Sequence, residues 1–247
     1  MNNENKKTFY ENEEYFRKIE DDLTFSLPEG NYFIIRIDGR NFSKLTRKFY
    51  EKPYDDYFKK IMIETTKFTM ENCGIPILFA YTQSDEISFI INKDARAYAL
   101  KMRKWLSIVP SIASSFFTFK TGHIVSFDAR VLIVSKEEII DYVSWRSEDS
   151  YRNCINNYAF YALYEDDKEL NGKNQEQKLE LLKERGIDFN EVNNDIKYGS
   201  IVYYMDYLKK AYNKISGKEV FAQRRVLTHK PSNEMLKKLD DLLKEEC

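Results

Sequence analysis

The chain has 247 residues but few of the groups from which metal and redox centres are usually built. Its three cysteines, Cys73, Cys154 and Cys247, show no paired spacing, and histidine occurs only at positions 123 and 229. No zinc centre is expected, and the cysteines read as reduced thiols in a cytosolic setting. No apolar run approaches the roughly 20 residues that span a bilayer. The opening stretch, MNNENKKTFYENEEYF, is polar and acidic, unlike a signal peptide. A soluble, cytoplasmic protein without a membrane partner is the expectation. Excess charge of one sign is missing too: 39 Lys and Arg face 40 Asp and Glu, a net of −1. Any nucleic-acid partner must therefore meet a local basic surface.

Aromatic residues are abundant. Tyr and Phe number 18 and 17, within an apolar fraction of 43%, so ring packing should dominate a sizeable core. The length suits one large domain, or one domain with an appendage. YFIIRI reads as a strand that ends at Asp38-Gly39-Arg40-Asn41. Phe58, Ile61, Met62, Thr65 and Phe68 fall at helical spacing over 55–71, and Asn72-Cys73-Gly74 closes that helix. ILFAY, the turn TQSDE and ISFII form a hairpin. A helix over 94 to about 109 should bury Tyr98, Met102, Trp105 and Val109, and SFDARVLIV reads as a further strand. The order β-α-β-β-α-β is the ferredoxin-like arrangement, an α+β fold with an antiparallel sheet and helices on one face.

Residues 1–135 thus read as one ferredoxin-like domain, the candidate palm, and 136–247 as a mostly helical C-terminal region packed on it. In that region 136–165 look helical and 166–178 look like a loop. A short helix over 176–185, β-like pieces at 200–204 and 219–226, and an Asn-capped helix from Ser232 follow.

In this topology the first strand and the hairpin are central neighbours. Asp38 can meet Asp85 and Glu86 at one end of the sheet. Carboxylates beside a backbone carbonyl make an oxygen-rich site suited to Mg²⁺. Two such ions about 4 Å apart would clamp an in-line phosphoryl transfer, the logic of polymerase palms and nucleotidyl cyclases. Taken singly, Asp38 is equally a strand-end turn former, and Ser84-Asp85 an Asx-type turn. The successive N–H groups of 39–43 can cradle a triphosphate, and Gly39 lets the backbone come close. Lys52 offers a point charge for phosphate, or is a solvated surface lysine. Glu86 is a ligand or orients the hairpin. Arg146, Asp149, Asn153 and Asn157 share one helix face, which is either solvated or suited to nucleotide or RNA phosphate. The opposite face (Tyr151, Ile155, Tyr158, Ala162) is core. Basic residues 93–104 (Lys93, Arg96, Lys101, Arg103, Lys104) are expected beside the carboxylate end, as a solvated face or a phosphate clamp.

IIRIDGRNFSKL, EKPYD, AYTQSDEISFII, FDARVL and YVSWRSEDSYRNCINN together resemble, in order and spacing, the tRNA-histidine guanylyltransferase family over residues 30–160. A weaker trace lies at GIDFNEV…YGSIVYY. The resemblance implies a polymerase-like palm that adds nucleotides in the 3′-to-5′ direction to the 5′ end of tRNA. It implies activation of a 5′-monophosphate with ATP, then attack by the 3′-hydroxyl of an incoming nucleotide, with ATP, GTP and other NTPs as substrates. A homotetramer is implied as well. By the same resemblance Asp38 and Asp85 bind two Mg²⁺ ions, Gly39 offers its carbonyl, and Glu86 is their acidic neighbour. Gly39, Arg40, Asn41, Phe42, Ser43, Lys52 and Ser84 would hold the nucleotide, with Arg103 and Arg130 as looser phosphate contacts. Arg146, Asn153 and Asn157 would contact RNA. The chain departs from the family at Ser43 and Tyr151, where family enzymes that act on tRNA-histidine carry His. That favours the bacterial and archaeal-type branch, which repairs 5′-truncated tRNAs with the opposite strand as template. Guanylylation of tRNA-histidine, a nucleotidyl cyclase and a non-catalytic tRNA-binding protein are the rival readings.

Overall fold

The computed structural model describes residues 8–162, 170, 172–212 and 217–244. Six strands make one antiparallel sheet: β1 (Tyr32–Gly39), β2 (Ile77–Gln83), β3 (Glu86–Ile91), β4 (Phe127–Val134), β5 (Ser200–Tyr212) and β6 (Glu219–Pro231). Their spatial order is β4-β1-β3-β2-β5-β6. The first four strands keep the ferredoxin-like order, and the C-terminal region adds two more at the β2 edge.

The central strands β1, β2 and β3 are largely apolar on both sides because both sides are covered. Phe33, Ile35, Ile37 and Phe89 point to the face packed by α2 (Phe42–Phe49), α3 (Asp56–Asn72) and α4 (Met102–Thr121). Ile34, Phe79, Tyr81 and Ile90 point to the other face, where α5 (Lys136–Ala162) brings Ile139, Tyr142 and Val143. The palm helices thus lie on one face, and the C-terminal region closes the other. Aromatic packing centres on Phe42, whose ring meets Phe58, Phe117 and Phe127.

Some elements differ from expectation. The helix expected over 94–109 is a 3₁₀ turn at Ala97–Leu100 followed by α4, which passes through a buried Pro110 and runs on to Thr121. Tyr98 is half-exposed rather than part of a buried stripe, and its hydroxyl donates to the Cys73 carbonyl. β5 and β6 each run 13 residues, well past the short pieces expected, so "mostly helical" understates the strands of the C-terminal region. The final helix is broken into α8 (Ser232–Met235) and α9 (Leu239–Leu242), which lie past α6 (Gln175–Glu184) and α7 (Asn194–Tyr198). Its side-chain cap is not formed. The break lets Met235, Leu239, Leu242 and Leu243 all reach the core. Within the expected helix 136–165 and loop 166–178, residues 163–169 and 171 lie outside the described residues, as do the last three of the final helix. An unexpected helix, α1 (Phe9–Asp22), opens on a capping box between Thr8 and Glu11.

One joint ties the added strands to the palm. The Tyr81 hydroxyl, fully buried in β2, lies 3.1 Å from the Arg146 carbonyl on α5 and 3.0 Å from the Tyr198 carbonyl on α7. Gly199, at φ +75°, lies directly against that ring, and a Cβ there would come within 3.0 Å of it. Gly199→Ala therefore forces overpacking in a left-handed conformation. It is expected to cost about 1–3 kcal/mol, read from the midpoint of urea unfolding.

Candidate active site

The carboxylates do converge. Asp38 ends β1, where its cross-strand partner is Glu86, the first residue of β3. Ser84 and Asp85 form the two-residue turn before it, with Ser84 at φ +50°. The Gly39 N–H donates to the Asp85 carbonyl at 3.1 Å, pinning the turn against the end of β1.

The three acids have different surroundings. Glu86 is buried, and both its oxygens accept from Arg146, from Nε and Nη2, each at 2.9 Å. Arg36 stands 3.9 Å away on β1. Burial pushes the Glu86 carboxyl up, and Arg146 and Arg36 pull against that. Asp85 is also pushed up, first by burial and then by the negative charge of Asp38, with Lys52 opposing. Its side chain accepts from the Ser84 hydroxyl at 3.2 Å. The Asp38 side chain has no hydrogen bond or ion pair among the described residues, its backbone being taken up in the β1 ladder. Glu86 is thus neutralised within the protein, while Asp38 and Asp85 repel each other with no ion pair on either.

That pair fits a hard divalent cation. The available donors are two carboxylates and the backbone carbonyl of Gly39, all oxygen, as Mg²⁺ prefers. Among the described residues no group of three or more His, Cys, Asp or Glu side chains is arranged to hold a metal. Such an ion would therefore draw its remaining ligands from water and substrate phosphate, which is common for Mg²⁺.

Asp85 stands at the edge of a cavity of about 280 Å³ between α2, the start of α3, the β2–β3 turn and the end of α5. Its polar lining includes Ser43, Thr46, Lys52, Ser84 and Asn157, and its apolar wall includes Pro53, Phe58, Met62 and Ile196. The Lys52 ammonium donates to the Thr46 hydroxyl at 2.8 Å. Burial and then Arg47 lower its pKa, while Asp55 and Asp85 work the other way. The arrangement offers a cation, hydroxyls and an apolar slot, the needs of a nucleoside triphosphate.

Several expected contacts lie elsewhere. The Gly39 and Arg40 N–H groups are already bonded, to Asp85 and Ser126 carbonyls, so the 39–43 cradle reduces to the first turn of α2. Gly39 is needed because a Cβ there would overlap the buried Phe42 ring. Phe42 belongs mainly to the core. Arg40 and Asn41 line a separate groove with Lys44 and Lys48. The basic run 93–104 follows β3, whose last residue pairs with Phe33 at the start of β1, so it lies at the end of the sheet away from the carboxylates. Arg103 there donates to Thr24. Arg130 pairs with Asp128 at 3.5 Å, and Asn153 donates to Asp149. Arg146 is buried by its ion pairs instead of facing RNA. Asn157 does reach the cavity, donating to the Tyr54 hydroxyl at 3.0 Å. Tyr151 packs in the core, stacked on Tyr198 at 5.0 Å. Thr46 and Asp195 line the cavity and no local motif marks them, while Tyr54 lies in the EKPYD motif, where only Lys52 had been given a role.

Two outcomes follow from the acids. Arg146→Met strips Glu86 of both its hydrogen bonds and leaves it buried with only the 3.9 Å Arg36 contact, and is expected to cost about 3 kcal/mol in chemical denaturation. Adding Glu86→Gln should recover most of that loss. For Asp85, a folded-state pKa above the unfolded value means that stability falls as pH rises through the window above about 4. The ionised pair therefore weakens the metal-free fold at neutral pH. Asp85→Asn should raise the melting temperature at pH 7.5 in EDTA, and should flatten its dependence on pH between 4 and 7.5.

Comparison with known proteins agrees with this geometry. Residues 13–135 match the family model for tRNAHis guanylyltransferase, and residues 137–244 match the model described as the Thg1 C terminal domain. The tRNA(His) guanylyltransferase of Candida glabrata is 31% identical over 211 residues, spanning 76% of this chain and 88% of that protein. The crystal structure of the Saccharomyces cerevisiae tRNA(His) guanylyltransferase superimposes with a TM-score of 0.70 at 25% identity, over 84% of this chain and 94% of that one. A bacterial guanylyltransferase-like protein solved with ATP gives a TM-score of 0.76 at 23% identity, over 94% and 99%, and shares the fold. The sheet order, the converging aspartates and these matches along nearly the whole chain have one explanation: the protein belongs to the tRNAHis guanylyltransferase family of nucleotidyltransferases.

Proposed function

We propose that the protein is a cytoplasmic, template-dependent 3′-5′ nucleotide-adding enzyme that restores missing nucleotides at the 5′ end of tRNA. The observation that carries the reading is the Asp38–Asp85 pair, without an ion pair on either acid, whose Asp85 lines a cavity holding Lys52, Ser43 and Ser84. Mg²⁺ ions held by Asp38, Asp85 and the Gly39 carbonyl would supply charge neutralisation at the attacked phosphate and the leaving group. The Lys52 ammonium, the Ser43 and Ser84 hydroxyls and the first-turn amides of α2 hold the triphosphate. The apolar wall of Pro53, Met62 and Ile196 takes the base or sugar. In the activation step the tRNA 5′-phosphate attacks the α-phosphorus of ATP and expels pyrophosphate. In the addition step the 3′-hydroxyl of the incoming nucleotide attacks the activated 5′-phosphorus and expels AMP. Positioning and electrostatics carry most of the rate.

The choice of templated repair over guanylylation of tRNA-histidine rests on Ser43 and Tyr151. Tyr151 stacks on Tyr198 and edges Phe189, so this position serves packing and not RNA contact. Base pairing with the opposite strand then selects the nucleotide, and the protein need only recognise the shape of tRNA.

The test supplies Mg²⁺, ATP, all four NTPs and a 5′-monophosphorylated tRNA lacking its first nucleotide, and maps the 5′ end. Addition of the nucleotide complementary to the template base is the expected result. Asp38→Ala and Asp85→Ala should each lower addition by at least 10³-fold, the scale of lost electrostatic stabilisation of a transition state. Addition of G to intact tRNA-histidine alone would replace templated repair by guanylylation. Formation of a cyclic nucleotide without RNA would point to a cyclase.

A further inference from the structure

The chain as a whole is not positive, at a net of −1, so an RNA partner has to meet a local basic surface. The run 93–104 lies at the end of the sheet away from the carboxylates. A basic surface at the carboxylate end is found on α2. From Gly39 to Tyr50 the chain carries Arg40, Lys44, Arg47 and Lys48 and no acidic residue. The helix divides two openings. Ser43, Thr46 and Arg47 line the nucleotide-sized cavity. Arg40, Asn41, Lys44, Leu45 and Lys48 line a second opening, a groove of about 480 Å³ whose far wall is Ile124, Val125 and Ser126.

The charge of the groove is unanswered. No acidic side chain lines it, and Arg40, Lys44 and Lys48 have no ion pair among the described residues. Lys44 and Lys48 stand one helical turn apart, about 5–6 Å between Cβ atoms, so successive phosphates of one strand can meet successive cations. The Lys48 ammonium lies over the Phe49 ring, 4.9 Å from its centre, and that ring stacks on His123 at 4.2 Å, which holds the cation at the rim. Asn41, at φ +63°, makes no capping hydrogen bond with its side chain. Between the cations the floor is apolar. Leu45 packs against the core, and Ile124 is 94% exposed.

Cations above an apolar floor suit a single strand of nucleic acid, which offers phosphates and unpaired bases together. A duplex turns its bases inward and leaves such a floor uncovered. The chain sets the place of the groove. Arg40 follows Asp38 by two residues, at most about 7 Å of backbone. Its N–H donates to the Ser126 carbonyl at 2.9 Å and so joins the α2 wall to the β4 wall. The strand opposite a tRNA 5′ end runs on past the last base pair as an unpaired 3′ tail. We propose, on the reading of the Asp38–Asp85 end as the place where a tRNA 5′ end is extended, that the groove binds this single-stranded 3′ tail. Its phosphates lie on Lys44 and Lys48, and its bases lie against Leu45 and Ile124. Contacts of this kind carry no base code, so the tail is held whatever its sequence.

The experiment measures equilibrium binding of the full chain by fluorescence anisotropy, with Mg²⁺ but no nucleotide, so that neither reaction step takes place. The probes are a labelled tRNA lacking its first nucleotide and the same RNA with its 3′ tail removed. Removing the tail should raise the dissociation constant about tenfold or more. Pairing the tail with a complementary oligonucleotide should act like removing it. The double variant Lys44→Ala, Lys48→Ala should bind the tailed RNA no better than the trimmed one, with the trimmed RNA unaffected. Its salt dependence should be shallower by about 1.4 in log–log slope, about 0.7 for each phosphate released. Ile124→Asp should weaken the tailed RNA alone. All three side chains are exposed, so circular dichroism should show intact folding. Equal affinity for tailed and trimmed RNA overturns the proposal, and so does a double variant that loses affinity for both alike. A paired tail that binds as well as a free one also overturns it, and assigns the ridge to duplex RNA. Nucleotide addition without any effect of the tail removes the groove and keeps the extension reading, whereas a tail effect without addition does the reverse.

Discussion

The pairing of Arg146 with Glu86 organises the site. Three carboxylates arrive together because β1 ends beside the β2–β3 turn. Three negative charges at one sheet end would repel strongly in a half-buried setting. Arg146 reaches down from α5 and takes both oxygens of Glu86 in a bidentate grip, which is the geometry guanidinium does best. Asp38 and Asp85 are left as the open charge. The same arginine binds Asp149, which in turn accepts from Asn153 and Arg152, so the polar face of α5 is an internal network. Its far end, Asn157, opens on the nucleotide-sized cavity. One helix therefore both sets the charge of the acidic end and lines the adjoining pocket.

Much of this was legible in the sequence, for identifiable reasons. Apolar runs bounded by turn residues gave strands and helices in order, and that order leaves few topologies. Once β1 and the hairpin are neighbours, the meeting of Asp38 with Asp85 follows from where each strand ends. The role of Glu86 was left open, since a ligand and a buried ion-pair partner look alike until the helix carrying Arg146 is seen to cross above it. Arg146 itself was misjudged for the same reason. Helical periodicity says which residues share a face, but not whether that face meets water or a buried acid.

Other misreadings came from polarity along the chain. The basic run 93–104 looked close to the acids because both border the hairpin, yet a strand separates them and carries the run to the other end. Gly39 has a further reason to be glycine that sequence does not show, since the buried Phe42 ring fills the space a Cβ would take. The helix over 102–121 was ended just before Pro110, although buried packing holds the helix through the proline despite its lost donor and its clash with the preceding turn. The length of β5 and β6 was missed because their outer halves mix apolar and charged residues without regular alternation (MDYLKKAY, EVFAQRRV) and without the continuous apolar run of a covered strand.

The turn that carries Asp85 joins strands adjacent in the chain, whereas Asp38 reaches it only through the pairing of β1 with β3, some fifty residues apart. Hairpins of this kind close in microseconds, and distant pairings pay a larger loop entropy first. The two carboxylates are thus brought together by the costlier event. A nascent chain that has made its hairpin but not yet docked β1 holds half a cation site, with Asp85 alone. The completed site is a marker of the assembled sheet, and the ion it accepts has nothing to grip until the long-range architecture is in place.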